Sequence, residues 1–180
     1  MSEPLTPASN TKPAFWRRWW FLVGVSVGLV GLFVLFGIFA LIAHPVKYEG
    51  ASMEPALKDG DRLMVQKMVG ELKKGDIVVF YYPMNPTKSF CKRIIALPGE
   101  TISIDASGAT YINNSAIDEP YVKPERNRSP RQLAKTLIAA DQYFIMGDSR
   151  DVSNDSRSFG PVDRKLIYGK VIGRYWPIWR

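Results

Sequence analysis

The sequence predicts a mainly β fold, an antiparallel β-sandwich or barrel-like domain behind one N-terminal transmembrane helix. Three observations carry this. The 180 residues are 46% hydrophobic, yet the mean hydropathy is only −0.10. The 25 residues from Trp19 to Ala43 carry no charge, so much of the apolar content sits in one block. Beyond that block, short β-rich runs recur between turn residues, as they do in sandwiches and barrels.

Taken in order, residues 1–14 are rich in Ser, Thr, Pro and Asn and read as a disordered tail. Residues 15–43 form the membrane anchor. As a helix rising 1.5 Å per residue, the uncharged block spans roughly 37 Å, against a hydrocarbon core of about 30 Å. A cleaved leader has a shorter apolar region and a small-residue cleavage site. Leu41-Ile42-Ala43 offers no such site, because Leu41 is bulky. Lys12, Arg17 and Arg18 precede the block with only Glu3 opposing them, which keeps the N-terminus cytoplasmic. Trp16, Trp19 and Trp20 mark that same boundary. Residues 44–180 then lie on the extracytoplasmic face of the cytoplasmic (plasma) membrane.

Within 44–180 the expected strands are Arg62–Gln66, Asp76–Tyr82, Cys91–Leu97, Thr101–Ile104, Thr110–Ile112, Tyr143–Met146 and Lys170–Trp176. Lys123–Lys135 is basic, contains Pro124 and Pro130, and reads as a surface excursion; Gln132–Ala140 is expected to make a brief helix. Of the 24 Lys+Arg and 17 Asp+Glu, all but three basic residues and one acidic residue fall here, leaving a charge of +5. A domain on that side of a membrane meets no nucleic acid, and anionic lipid headgroups are the simpler partner. A single Cys and a single His leave neither a disulfide framework nor a zinc quartet, so no metal or other cofactor is expected.

Three segments hold candidate chemistry. In Gly50-Ala51-Ser52-Met53-Glu54-Pro55, a serine between small residues and a proline turn is accessible as a nucleophile, although an ordinary loop serine has the same pattern. In Cys91–Gly99, period two puts Lys92, Ile94 and Ala96 on one strand face, and Arg93, Ile95 and Leu97 on the other. A lysine on an apolar face is either a desolvated base of lowered pKa or a snorkelling edge residue. Gly147–Arg157 packs three aspartates, two arginines and three serines into eleven residues. It lacks the closing glutamate of a calcium loop, and its alternating signs suit internal ion pairing as well as a solvated turn. His44 precedes Pro45 at the membrane boundary, and Cys91 lies inside a strand, so neither makes a good triad member. A Ser-Lys dyad needs only a serine, a lysine and an oxyanion donor. Pattern alone does not bring Ser52 to Lys92.

These segments, in this order behind an anchor, resemble bacterial type I signal peptidase across about residues 15–180. Ser52-Met53-Glu54-Pro55 matches that family's nucleophile segment, and Lys92 to Glu100 its general-base segment. Gly147 to Arg157 matches a third family segment throughout. The resemblance implies a membrane-anchored serine endopeptidase that cleaves signal peptides from exported preproteins, with Ser52 and Lys92 as the catalytic dyad. Ser153 is then expected to hold the lysine, with Asp155 and Arg157 supporting the loop. Gly50 stands where some members place a hydroxyl donor, so the oxyanion hole is expected from backbone N–H groups around Gly50, Ala51 and Ser52. Met53, Ile77, Val79 and Ile94 are the expected substrate contacts, and the chain is expected to act as a monomer. Two alternatives remain: a dedicated pilin-maturation peptidase of the same fold, and an inactive anchored binding module.

Overall fold

The computed structural model describes residues 14–67 and 69–177. The expected tail lies outside these residues apart from Ala14, as do Ile178 and Trp179 of the C-terminal aromatic run. The chain divides into two units, Met1–Leu41 and Ile42–Arg180.

In the first unit, α1 (Ala14–Ile42) is a single helix of 29 residues. Its stretch Arg18–Gly37 is long and apolar enough to cross a membrane. Leu29, Phe33 and Phe36 all project more than half of their surface to the outside.

The second unit is built from antiparallel strands, in two sheets. Seven strands run in the order β1-β2-β11-β3-β4-β9-β10. These are β1 (Ala43–Lys47), β2 (Arg62–Gln66), β3 (Ile77–Tyr81), β4 (Ser89–Ala96), β9 (Gln142–Met146), β10 (Val162–Asp163) and β11 (Ile167–Trp176). Four more run in the order β7-β6-β5-β8: β5 (Thr101–Ile104), β6 (Thr110–Ile112), β7 (Ser115–Ala116) and β8 (Leu133–Leu137). β1 and β10 end the larger sheet without pairing to each other, so it is not a closed barrel. Pro45 lies in β1, where an edge tolerates a residue with no N–H.

Two sequence expectations are corrected. Gln132–Ala140 forms strand β8 rather than a helix, because Thr101, Ile102 and Ile104 of β5 offer it a ladder to join. Pairing overrides the weak helix preference of Leu, Ala and Lys. The period-two face of β4 also breaks: the register against β9 shifts between Ile94 and Ala96. Ile94 therefore packs with Val78, Phe80 and Ile145, whereas Ala96 joins Ile95 against Ile102 and Phe144. A third cluster gathers Tyr48, Met53, Leu57, Leu63, Val65, Val79 and Cys91. Trp176 belongs to none of the three and is 51% exposed.

Candidate active site

Ser52 sits in the turn between β1 and β2, and three contacts fix that turn. The Met53 side chain is fully buried. The Leu57 N–H donates to the Met53 carbonyl, and the Ser149 N–H donates to the carbonyl of Ser52 itself at 3.1 Å. The Ser52 segment thus hangs between the β2 core and the loop after β9. Gly50 has φ +110°, a conformation that glycine adopts without a Cβ penalty.

Lys92 projects from β4, opposite Val78 of β3. Its Nζ donates to Ser52 Oγ at 2.7 Å, joining residues 40 positions apart, and to the Cys91 carbonyl at 3.1 Å. Lys92 is 4% exposed, and its ammonium position lies 5.4 Å from the centre of the Phe90 ring. Burial pulls its pKa below the ordinary 10.5, while Cys91, Asp155 and Asp148 only partly oppose that shift. Burial likewise pushes the neighbouring Cys91 thiol up to about 12, so it stays protonated. Serine oxygen and depressed amine together form the unit from which a proton can pass.

The Gly147–Arg157 loop closes around this pair. A Cβ on Gly147 would lie 2.3 Å from Ser153 Oγ and 2.4 Å from the Ser52 carbonyl oxygen, so only glycine fits there. Asp155 accepts from the Gly147 N–H at 3.1 Å and pairs with Arg157 through both carboxylate oxygens. Burial raises the Asp155 pKa, but the Arg157 pair and nearby hydrogen-bond donors outweigh it and hold the carboxyl below 3.8. Arg93 makes a bidentate pair with Asp148, at 2.8 and 2.6 Å, and stacks over Tyr121 at 4.2 Å. Arg150, 2% exposed, reaches both oxygens of Glu119 and donates to the Gly147 carbonyl.

The basic surface excursion Lys123–Lys135 clamps this loop. Asp151 accepts from the Arg128 and Ser129 N–H groups. Arg131 donates to the Ser153 carbonyl at 2.6 Å, and Arg126 pairs with Glu54 beside the nucleophile. Charge density gave no sign of these roles, because they depend on where the excursion folds back.

Ser153 is fully buried, and among the described residues its hydroxyl meets no partner, Lys92 included, at ordinary hydrogen-bond geometry. The Ser153 hydroxyl helps keep Asp155 ionised, but it makes no hydrogen bond of ordinary geometry. The link from Ser153 to Lys92 expected from the sequence is therefore absent in this conformation. The Gly50 N–H is taken by Asp59 Oδ1 at 2.7 Å, so it is not a spare oxyanion donor. Among the described residues, no acceptor occupies the Ser52 N–H. Of the four expected substrate contacts, Val79 lines the cleft beside Ser52, with Val46, Phe90, Val152 and Tyr168. Ile77 lines a second cleft with Leu57 and Val171 instead. Met53 and Ile94 are fully buried and have no surface from which to touch a substrate. Tyr48, which the sequence reading passed over, also lines the Ser52 cleft.

A buried lysine beside an accessible serine, in a cleft walled by apolar side chains, defines the serine-peptidase class of hydrolase, and the relatives of the chain agree. The family described as signal peptidase, peptidase S26, matches residues 16–176, and the chain belongs to that family. A Staphylococcus aureus protein named signal peptidase IB is 34% identical over 177 residues, covering 87% of this chain and 88% of its own. A Bacillus caldolyticus signal peptidase I is 35% identical over 176 residues, covering 89% and 91%. The crystal structure of an Enterococcus faecalis signal peptidase I aligns with 58% of this chain and 99% of its own, at 27% identity and a TM-score of 0.49. The protein is accordingly a serine peptidase of signal-peptide processing, whose family acts on preproteins and is associated with membranes.

Proposed function

We propose that the chain is a single-pass membrane endopeptidase that removes N-terminal signal peptides from exported preproteins by a Ser52-Lys92 dyad. One observation carries this: a lysine 4% exposed, with a depressed pKa, holds its Nζ 2.7 Å from Ser52 Oγ. Ser52 Oγ attacks the scissile carbonyl while its proton passes to neutral Lys92. The Lys92 ammonium then protonates the leaving amine, and a water repeats the sequence on the acyl-enzyme. The Ser52 N–H faces the oxyanion, an interaction worth about 3–4 kcal/mol in comparable sites.

The substrate adds as a strand. β1 is a sheet edge, and Val46 and Lys47 of β1 line the cleft, so an extended peptide finds unpaired backbone groups beside Ser52. The walls of Val79, Val152 and Tyr168 suit small apolar side chains near the cleaved bond. Residues 15–43 anchor the chain, with residues 1–14 in the cytoplasm and 44–180 as the extracytoplasmic domain, because Arg17 and Arg18 flank the helix on its N-terminal side. Both partners then search within the membrane plane, the lipid surface serves as a second partner, and one monomer suffices.

The test is cleavage of a preprotein by the wild type, Ser52→Ala and Lys92→Ala. Each variant should lose about 10⁴-fold or more in kcat, and the double variant no more than either alone. Retained activity in either single variant would sink the dyad.

A further inference from the structure

Tyr48 is buried, 5% exposed, four residues before the nucleophile. Its ring packs in the cluster of Met53, Leu63, Val65 and Val79, and its hydroxyl emerges at the cleft. Two contacts define that hydroxyl. The Met53 N–H donates to Tyr48 Oη at 3.0 Å, and Tyr48 Oη lies 3.2 Å from Ser52 Oγ.

Either oxygen can donate in the second contact, and the first contact favours Tyr48 as the donor. A phenol has one proton, and with the Met53 N–H filling its accepting side, that proton is left for Ser52 Oγ. Ser52 Oγ then accepts from Tyr48; once Lys92 is the neutral amine of the dyad, the 2.7 Å contact in which Nζ donates to Oγ reverses, and the Ser52 proton points to the Nζ lone pair. The result is a one-way chain running Met53 N–H, Tyr48 O–H, Ser52 O–H, Lys92 Nζ. Burial also pushes the Tyr48 pKa above 10.0, so the proton stays on the phenol in the pH range of the reaction.

We propose that Tyr48 is a third member of the catalytic machinery, donating a hydrogen bond to Ser52 Oγ throughout the cycle; this rests on the dyad reading above. In acylation the Ser52 O–H bond breaks, its proton moves to Lys92, and Oγ bonds to the scissile carbon. Tyr48 holds the Ser52 side chain in the rotamer that makes this transfer possible. In deacylation a water gives a proton to Lys92 and bonds to the acyl carbon, the bond from Oγ to that carbon breaks, and Tyr48 stabilises the departing oxygen until Lys92 passes it the proton taken from water. The Tyr48 proton is never transferred, so no further co-reactant is needed.

Tyr48→Phe keeps the ring and deletes only the hydroxyl. With a preprotein-derived peptide, kcat should fall about 10- to 100-fold at unchanged KM, as for loss of a hydrogen bond to a charged group. A kcat within twofold of wild type overturns the proposal. Because the same change orphans the Met53 N–H, 3-fluorotyrosine at position 48 is run beside it, and also serves if Tyr48→Phe does not fold. It keeps the bond to Met53 while making the donor stronger, so kcat should change at least twofold at constant KM. An unchanged kcat there assigns Tyr48 to backbone support alone and overturns the proposal. Ser52→Ala and Lys92→Ala in the same assay separate the two readings. If both are dead while Tyr48→Phe is fully active, only the Tyr48 assignment fails; if either stays active, the dyad fails and Tyr48 with it.

Discussion

Two buried polar corners of this protein lie side by side and are built on opposite rules. At one, Asp155 meets Arg157, and Arg150 meets Glu119, each charge facing a counter-charge through two or more bonds. At the other, Lys92 is buried against an uncharged serine, a carbonyl and an aromatic ring, with its carboxylates acting only from a distance. The difference shows that burial alone does not decide a charge state. Paired, a buried carboxylate keeps its charge and becomes a strut; unpaired, a buried amine holds its proton less tightly than a free lysine does.

The strongest way to break this contrast is to make the second corner permanently charged. Lys92→Arg places a group there that does not deprotonate, and kcat should fall by about 10⁴-fold or more even though a long basic side chain is kept. A kcat within about 100-fold of wild type in that variant would mean that no neutral base is needed. The pH profile tests the same point in the wild type. Protonated Lys92 cannot accept from Ser52, so activity should rise with pH through a single titration below 10.5 and be lost as pH falls. Stability should follow the same sign. Between the folded and unfolded pKa values the unfolded chain binds the extra proton, so stability rises with pH across that window. Lys92→Met should abolish this slope.

The first corner is broken by removing its cation. Arg157→Leu strands Asp155, which is fully buried, and should destabilise the fold by about 3–5 kcal/mol in denaturant unfolding. It should also erase the low Asp155 pKa, whose contribution in the wild type is present above pH 3.8 and lost as pH falls through the lower folded value. The join between the corners is tested by Gly147→Ala. The added Cβ meets the Ser52 carbonyl at 2.4 Å, a backbone atom that cannot swing aside. Displacing Ser52 by a fraction of an ångström to an ångström should lower kcat about 10²-fold, and the overpacking should cost about 1–3 kcal/mol in denaturant unfolding. Arg126→Ala marks the lower limit. Its pair with Glu54 is partly exposed, so its loss should cost only about 0.2–1 kcal/mol, while leaving kcat within a few-fold of wild type.

Much of this arrangement was legible in the chain, and the exceptions have physical causes. The strands at Arg62–Gln66, Thr101–Ile104 and Thr110–Ile112 appear with the expected bounds, because short runs that alternate apolar and polar residues between turn residues suit a half-buried strand. Edge segments were harder. β1 begins directly after α1 and contains Pro45, while β7 and β10 are two residues each, too short for a period to show. β8 looked helical because its residues tolerate either state, and the β5 ladder decided between them. In the site, Ser52 and Lys92 stood out by residue type and motif. Tyr48 did not: a tyrosine in a strand-rich domain is unremarkable until its hydroxyl is found 3.2 Å from a serine oxygen. Ile94 and Met53 were misplaced because apolar character marks a core position and a pocket wall alike.

By itself the sequence determined the apolar helix, most of the β elements and the three segments that hold serine, lysine and aspartates. Those are local properties, set by hydropathy, residue shape and spacing along the chain. Only the tertiary structure decided that Ser52 meets Lys92 across 40 positions, that Arg131 grips the Ser153 carbonyl, and that Tyr48 feeds the chain of hydrogen bonds. The lowered pKa of Lys92 was decided there too. A pKa and a hydrogen bond depend on what surrounds a group through space, and no spacing along the chain specifies that.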